Sequence, residues 1–231
     1  VVPNSSCVKS AQFEIERELK IHSTLHHGNV VKLFTTFKTA AHFYMVLEKM
    51  ECTLRDVLDR NGKIVEEKSV LVMIGVFGGL QYCHQQEVVH RDVKPENVLM
   101  NGYETVKLAD FGVSTRLKPK TFCGTMGYIA PEMFTGQSYS SSVDMFATGI
   151  MCHEMTIGDI EQFCTPDDKS VRSPYQPPKT MSKDLGDLIR SLTSTSVKKR
   201  PTALEALHSR WIVDTDTKRR ARLAAIEVDE M

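Results

Sequence analysis

Three short segments of the chain bring carboxylate, amide and ammonium side chains together at fixed intervals. Residues His90–Asn97 read HRDVKPEN, Asp110–Gly112 (DFG) begins thirteen residues after Asn97, and Ala130–Glu132 (APE) follows. Carboxylate and amide oxygens are the hard ligands that Mg²⁺ prefers, and magnesium usually also binds the phosphates of a substrate. Moving a phosphoryl group to a hydroxyl needs a held nucleophile, a neutralised triphosphate and in-line geometry. These segments supply the residue types that such a reaction requires.

The intervals between the segments make the pattern specific. Taken alone, DFG is usually a turn between strands, and APE is a common helix start with proline in the first turn. Between the first two segments, the apolar runs Val98–Met100 and Val106–Ala109 flank a turn at Asn101-Gly102. This arrangement predicts a hairpin of two short strands with the polar residues at its ends.

In this order the motifs resemble the catalytic signature of the eukaryotic protein kinase family. The resemblance extends from about Phe13 to Trp211. It implies an α+β, two-lobed protein-kinase-like fold with a truncated small lobe and a mainly helical large lobe. We expect a partial small lobe at residues 1–48, a large lobe at 49–213 with the hinge at 48–51, and a charged C-terminal tail at 214–231.

The resemblance implies a role for each polar residue of the motifs. Asp110 and Asn97 match the Mg²⁺ ligands, and Asp92 matches the carboxylate that orients or accepts the proton of the attacking hydroxyl. Lys94 would place an ammonium beside the transferred phosphate, and Thr125 would hydrogen-bond both Asp92 and Lys94. Lys94 and Thr125 resemble the serine/threonine branch. The expected reaction therefore transfers the ATP γ-phosphate to Ser/Thr hydroxyls of protein substrates.

Other residues match the ATP site or structural positions of the family. Glu18 matches the helix glutamate that pairs with the ATP-holding lysine, with Glu14 and Glu16 as rivals and a solvent-facing charge as the alternative. The expected adenine site consists of Leu47 as gatekeeper, the hinge backbone at Glu48 and Met50, and Leu99 as the lower face. The expected structural residues are Arg200, paired with Glu132, and Asp144, which organises the catalytic-loop backbone.

Thr121 lies between DFG and APE, where activation-loop phosphorylation occurs in the family. Arg91 is the expected partner of a phosphate there, and Arg116, Lys118 and Lys120 could add to a basic pocket. An upstream kinase or autophosphorylation would supply the phosphate. The alternative is an unmodified threonine in a surface basic cluster.

The chain also departs from the family pattern. No Gly-x-Gly-x-x-Gly loop or Val-Ala-x-Lys strand occurs in it, and Lys9 stands closer to Glu18 than the family's lysine does, which favours a surface lysine. His22 stands where an apolar residue normally stacks. We therefore expect residues 1–231 alone to show little activity until native upstream sequence restores both motifs. The rival hypothesis is a kinase-like scaffold or pseudokinase that binds partners without phosphoryl transfer.

Composition narrows the classes of partner. Lysine plus arginine equals aspartate plus glutamate at 29 each, so no basic field predicts binding to nucleic acid or to a membrane surface. The six cysteines are scattered without a Cys-x-x-Cys pair, which favours reduced thiols and a cytoplasmic or nuclear location. The Cys-Gly-Thr sequence ending at Thr125 resembles Aurora, Polo-like and calcium/calmodulin-type kinases, and the sequence alone leaves these open.

Apolar periodicity predicts the remaining elements. Helices are expected at residues 13–25, 66–86, 141–155, 183–192 and 202–207, and strands at 30–37 and 42–47. The segment 158–181, rich in Thr, Asp, Ser and Pro, is expected to be largely a loop.

Overall fold

The computed structural model describes residues 19–39, 42–116, 123–163 and 175–229. The helices are α1 (Leu54–Asn61), α2 (Glu66–Gln85), α3 (Ser142–Ile157), α4 (Lys183–Leu192), α5 (Ala203–Leu207) and α6 (Arg210–Asp229). The strands are β1 (Leu33–Lys38), β2 (Phe43–Leu47), β3 (Cys52–Thr53), β4 (Val88–Val89), β5 (Val98–Asn101), β6 (Thr105–Leu108) and β7 (Thr115–Arg116). None of the helices in these ranges is long and apolar enough to cross a membrane.

The described part of the small lobe contains a helical turn at residues 19–22 and an antiparallel pair, β1 and β2. The first strand begins later than the predicted residue 30, because Val30 and Val31 lie against the large lobe instead. Val30 forms a bridge with Leu108, and the Val31 amide donates to the Leu108 carbonyl at 2.9 Å. Both valines are buried, so this segment joins the small lobe to the hairpin that precedes the DFG segment.

The predicted hairpin is present as β5 and β6, which pair antiparallel, with β3 on the other edge of β5. It rests on α2, a helix of 20 residues whose apolar side chains are largely buried. Glycines allow this close approach: a Cβ at Gly75 would lie 2.6 Å from the Cβ of Val106, and one at Gly79 would lie 2.9 Å from Cδ1 of Leu108. The hairpin is thereby fixed against the main helix of the large lobe.

The helical predictions in the large lobe are confirmed, with ends that local chemistry explains. Ser182 caps α4, and Thr202 forms a capping box with Glu205 at the start of α5. Helix α3 is buried along nearly its whole length, as its apolar sequence predicts. Trp211 and Ile212 are buried at the start of α6. This helix continues through the predicted boundary between the large lobe and the charged tail, before residue 214. The boundary therefore does not coincide with an end of a structural element.

The predicted pair of Arg200 and Glu132 is confirmed. The Arg200 guanidinium contacts both carboxylate oxygens of Glu132, at 2.6 and 2.8 Å, and the Arg200 side chain is fully buried. The pair ties the segment after α4 to the short helix Pro131–Thr135. Removal of one member leaves the other charge without its partner in a poorly hydrated site.

We expect Arg200→Met to lower the free energy of unfolding by about 3 kcal/mol, since breaking a buried ion pair leaves an uncompensated charge. Chemical denaturation of the purified protein measures this change. Arg210→Met is the matched control, because the Arg210–Asp214 pair is exposed and 3.9 Å apart, and its loss should cost less than about 1 kcal/mol. Equal effects of the two substitutions would contradict a structural role for the Arg200 pair.

Candidate active site

Asp92, Lys94 and Thr125 form a closed triangle of short contacts. The Thr125 hydroxyl donates to Asp92 Oδ1 at 2.7 Å and accepts from Lys94 Nζ at 2.7 Å. Lys94 Nζ also lies 2.8 Å from Asp92 Oδ2. Burial alone would raise the pKa of the Asp92 carboxyl, but the hydrogen bonds from Lys94 and Thr125 outweigh burial and lower the pKa below its usual value. Asp92 is therefore an anion held in one orientation at neutral pH.

Asn97 and Asp110 are brought together by the ends of the β5–β6 hairpin. The Ala109 amide donates to the Asn97 carbonyl at 2.9 Å, which places the residue before Asp110 beside the catalytic loop. The Asn97 side-chain amide donates to the Asp92 backbone oxygen at 2.9 Å and to its carboxylate at 3.1 Å. These two hydrogen bonds fix the orientation of the Asn97 side-chain amide. Among the described residues, its Oδ1 has no hydrogen-bond partner.

The Asp110 carboxylate is exposed, and its one hydrogen bond among the described residues is local, with Oδ1 accepting the Gly112 amide at 3.2 Å. Asp110 has φ +60°, and Arg91, next to the catalytic aspartate, has φ +72°. Non-glycine residues rarely adopt this left-handed conformation, and such strain persists where the surrounding structure enforces it. Both residues border the candidate site, and Arg91 is held there by contacts with Asp144 and Val113.

Asp144, on α3, organises the catalytic loop as predicted. Its carboxylate accepts the backbone amides of His90 at 2.9 Å and Arg91 at 2.7 Å. It also accepts the imidazole Nε2–H of His84 at 2.8 Å. Asp144 is almost completely buried, which alone would raise its pKa, but the His84 hydrogen bond and the loop amides outweigh burial and lower the pKa of this carboxyl. The buried charge thus holds the start of the catalytic loop.

A close approach of the loop after DFG depends on Gly124. This residue has φ +105°, and a Cβ there would lie 2.8 Å from the Arg91 carbonyl oxygen. A larger residue would force apart the two segments that Thr125 joins. In the sequence Gly124 is only part of the Cys-Gly-Thr motif, and this contact gives it a backbone role.

The DFG phenylalanine is packed into the large lobe. Phe111 is fully buried, with ring centroids 4.9 Å from His22 and 5.0 Å from His90. His22 is the residue that stands where an apolar residue normally stacks in the family. Its Nε2–H donates to the Val31 carbonyl at 2.8 Å, and burial lowers the pKa of its imidazole, which favours the neutral ring. The polar ring is therefore hydrogen-bonded inside the stack.

The predicted adenine residues lie along the hinge and on β5. The Glu48 amide donates to the Lys32 carbonyl at 2.9 Å, so the carbonyl is the backbone group that Glu48 can offer. Met50 has no backbone hydrogen-bond partner among the described residues. Leu99 is half-buried between the buried Val98 and Met100, as expected for a side chain on the cleft face of the strand. Leu47 is 37% exposed at the end of β2.

Two predicted site residues lie outside the described residues, namely Glu18 and Thr121, as do Lys9, Lys118 and Lys120. Arg91, the predicted phosphate partner, is buried, and its guanidinium donates to the Val113 carbonyl and lies 3.3 Å from the Tyr139 hydroxyl. Arg91 therefore already contacts the segment that follows DFG.

Sequence reasoning missed a second polar network beside the catalytic loop. Arg55, on α1, contacts Glu96 at 3.0 Å and Glu154 at 2.7 Å, and the Tyr128 hydroxyl donates to Glu154. Glu96 belongs to the HRDVKPEN segment, and this membership is the one sign in the sequence that it lies near the site. Arg55 and Glu154 lie in ordinary helical sequence, and only the fold brings them together.

Comparison with known proteins agrees with this geometry. The chain matches the family described as protein kinase domain over residues 1–212. It belongs to the eukaryotic protein kinase family, and the site is that of an ATP-dependent protein serine/threonine kinase catalytic domain.

The relatives that it resembles carry Aurora names. The chain is 34% identical to Aurora/IPL1-related protein kinase 2 of Caenorhabditis elegans over 212 residues, which cover 87% of the chain and 68% of that protein. It is 34% identical to Aurora kinase B of Drosophila melanogaster, covering 87% of the chain and 64% of that protein. It is 30% identical to Aurora kinase B of Danio rerio, covering 92% of the chain and 69% of that protein. The Aurora-like part of the prediction is confirmed, and the chain spans about two thirds of these relatives.

Proposed function

We propose that this chain transfers the γ-phosphate of ATP, held with Mg²⁺, to serine or threonine hydroxyls of protein substrates. The observation that carries the proposal is the triangle of Asp92, Lys94 and Thr125, joined to Asn97. Four contacts of 3.1 Å or less hold one carboxylate, one ammonium, one hydroxyl and one amide in a fixed arrangement. A scaffold that only binds partners has no physical need for this cluster.

The residues fit a magnesium ion by the chemistry of their oxygens. The Asn97 side-chain nitrogen donates to Asp92, and within the described part of the chain its Oδ1 has no partner and the exposed Asp110 carboxylate has one local hydrogen bond. One carboxylate and one amide oxygen suit a small, hard cation that also binds substrate phosphates. When bound, Mg²⁺ supplies positive charge that neutralises the phosphates.

The chain's own residues then act on the acceptor hydroxyl. Asp92 would accept a hydrogen bond from this hydroxyl, and it keeps its ionised form because Lys94 and Thr125 donate to it. Lys94 would place its ammonium beside the transferred phosphoryl group. Thr125 connects the catalytic loop to the segment that would hold the peptide substrate, so that substrate docking and hydroxyl orientation are coupled.

The adenine would lie between the hinge and β5. Leu99 would contact its lower face, Leu47 would border the inner end of the site, and the Glu48 carbonyl and Met50 amide would bind its edge. Glu18 would pair with the lysine that holds the phosphates. We place the active protein in the cytoplasm or nucleus, since its described cysteines are free thiols.

The test is phosphoryl transfer from ATP to a peptide library that contains serine, threonine and tyrosine acceptors, read by mass spectrometry. The polypeptide should include any native sequence upstream of Val1. We expect phosphoserine and phosphothreonine. ATP binding without transfer to any acceptor would instead support the scaffold alternative, and phosphotyrosine as the main product would contradict the assignment to the serine/threonine branch.

We further propose that phosphorylation of Thr121 raises activity, with Arg91 as a partner of the phosphate. A phosphate carries close to two negative charges and forms charge-assisted hydrogen bonds to arginine. The phosphate would come from an upstream kinase or from autophosphorylation.

Thr121→Ala should lower the transfer rate about tenfold or more, because the loop after DFG loses this charged anchor. A steady-state kinase assay measures the loss. Phosphatase treatment is the matched control: it should lower the activity of the wild-type protein to the level of Thr121→Ala and leave the variant unchanged. A variant as active as the phosphorylated wild-type protein would refute the regulatory role.

A further inference from the structure

A pocket of about 620 Å³ opens on the large lobe where the end of α2, the start of α3 and the start of α5 meet. None of the residues assigned to the proposed active site lines it. Its volume lies in the range of about 300–1,000 Å³ that is typical of small-molecule sites. The pocket is therefore large enough for a compact ligand of its own.

The lining of this pocket combines apolar and polar residues. Its apolar side chains are Met145, Val197, Pro201, Ala203 and Leu204. The serines at residues 140–142, at the start of α3, also line it. The backbone amides of residues 142–144 are already hydrogen-bonded within this segment, so the groups that it offers to a ligand are hydroxyls.

The charges around the pocket leave one cation unpaired among the described residues. Arg200 is paired with Glu132, and the Glu205 carboxylate accepts both the Thr202 amide at 2.7 Å and its hydroxyl at 2.9 Å. Lys198 is exposed at the rim, and no carboxylate of the described residues lies within ion-pair distance of it. A ligand with one negative group would complement this charge pattern.

One residue that lines the pocket is connected to the catalytic loop. His84 lines the pocket, and its Nε2–H donates to Asp144 at 2.8 Å. The same carboxylate accepts the backbone amides of His90 and Arg91. A ligand that displaces or fixes the His84 ring therefore acts on the group that holds the start of the catalytic loop, through two successive hydrogen bonds.

We propose that this pocket binds a small carboxylate with an apolar body, and that its occupancy is transmitted through His84 and Asp144 to the catalytic loop. The apolar body would lie against Met145 and Leu204, and the carboxylate would lie near Lys198 and the hydroxyls of residues 140–142. Binding is independent of the proposed function, whereas the regulatory consequence rests on it.

The test uses 1-naphthylacetate as the probe and 1-naphthaleneethanol as its neutral counterpart, followed by NMR of the full chain. We expect the Met145 methyl resonance and the amide resonances of His90 and Arg91 to shift together and to saturate with one dissociation constant. The neutral probe should bind about fivefold more weakly, which corresponds to the loss of one exposed ion pair.

Two substitutions separate the pocket from nonspecific binding. Lys198→Gln should weaken binding of the carboxylate about fivefold, while Lys199→Gln, which removes a neighbouring lysine outside this pocket, should leave binding within twofold. Leu204→Asp should remove most binding, and the position is 47% exposed near the start of α5, where an aspartate is tolerated.

Absence of saturable binding, or equal affinity for the two probes, would overturn the site. A Met145 shift without any change at His90 and Arg91 would overturn the connection to the catalytic loop. Because these measurements involve no phosphoryl transfer, a failure here leaves the kinase assignment intact, and an inactive kinase leaves the binding result intact.

Discussion

Replacement of Asp92 by asparagine is expected to lower the rate of phosphoryl transfer by about 10²–10⁴-fold, the usual contribution of a positioned acid–base group. The substitution keeps the size of the side chain and removes its charge. In the carboxylate, Thr125 donates to Oδ1 at 2.7 Å and Lys94 lies 2.8 Å from Oδ2, whereas the amide has one oxygen and can accept from only one of these two donors. The loss should therefore appear in kcat, with the KM for ATP nearly unchanged.

Steady-state kinetics of the polypeptide with any native upstream sequence measures this change. Asp59→Asn is the matched control, since Asp59 is exposed and lies 3.8 Å from Arg55 on the neighbouring helix α1. It should keep wild-type kcat. A kcat for Asp92→Asn within tenfold of the wild-type value would show that the carboxylate does not orient the nucleophile.

Replacement of Asp144 by alanine should lower both stability and activity. The substitution leaves the His90 amide, the Arg91 amide and the His84 imidazole without their shared acceptor in the interior. Each unsatisfied buried donor costs about 1–3 kcal/mol, so the loss of an acceptor for three donors should lower the free energy of unfolding by about 3 kcal/mol or more. The transfer rate of the folded fraction should fall about 100-fold, because the catalytic loop loses its anchor and small displacements of reacting groups are costly.

Chemical denaturation and single-turnover assays below the unfolding midpoint separate these two effects. Asp187→Ala is the control, because Asp187 forms an exposed pair with Arg190 on α4, and its loss should cost less than about 1 kcal/mol. Full activity in folded Asp144→Ala protein would contradict the role of Asp144 as the organiser of the loop.

The motif residues could be predicted because their order and spacing restrict the local structure. The β5–β6 hairpin was predicted from two apolar runs and an Asn-Gly turn, and it places Asn97 and Asp110 at its ends. The contacts of Thr125 with Asp92 and Lys94 were also predicted, through the family resemblance, and are confirmed. Helix limits were accurate where a capping residue was present, as at Ser182 before α4.

Other features depend on contacts between distant segments, which periodicity does not encode. The sequence of Val30 and Val31 predicts the start of a strand, but both residues pair with Leu108 and lie against the large lobe. The hydrogen bond of His22 to the Val31 carbonyl also depends on this position of Val31. Likewise, His84 meets Asp144 across 60 positions of sequence, a contact that no local pattern signals.

The most direct test of the central claim is the single-turnover rate of γ-phosphoryl transfer by the wild-type protein and by Asp110→Asn, at saturating ATP and Mg²⁺. The polypeptide should include any native sequence upstream of Val1, and the Asn variant preserves the shape of the DFG segment. Loss of the metal-binding charge removes several kcal/mol of transition-state stabilisation, so the rate should fall about 10³-fold, with phosphoserine or phosphothreonine as the wild-type product. An Asp110→Asn rate within tenfold of the wild-type rate would contradict the assignment of Asp110 as a magnesium ligand, and with it the proposed mechanism.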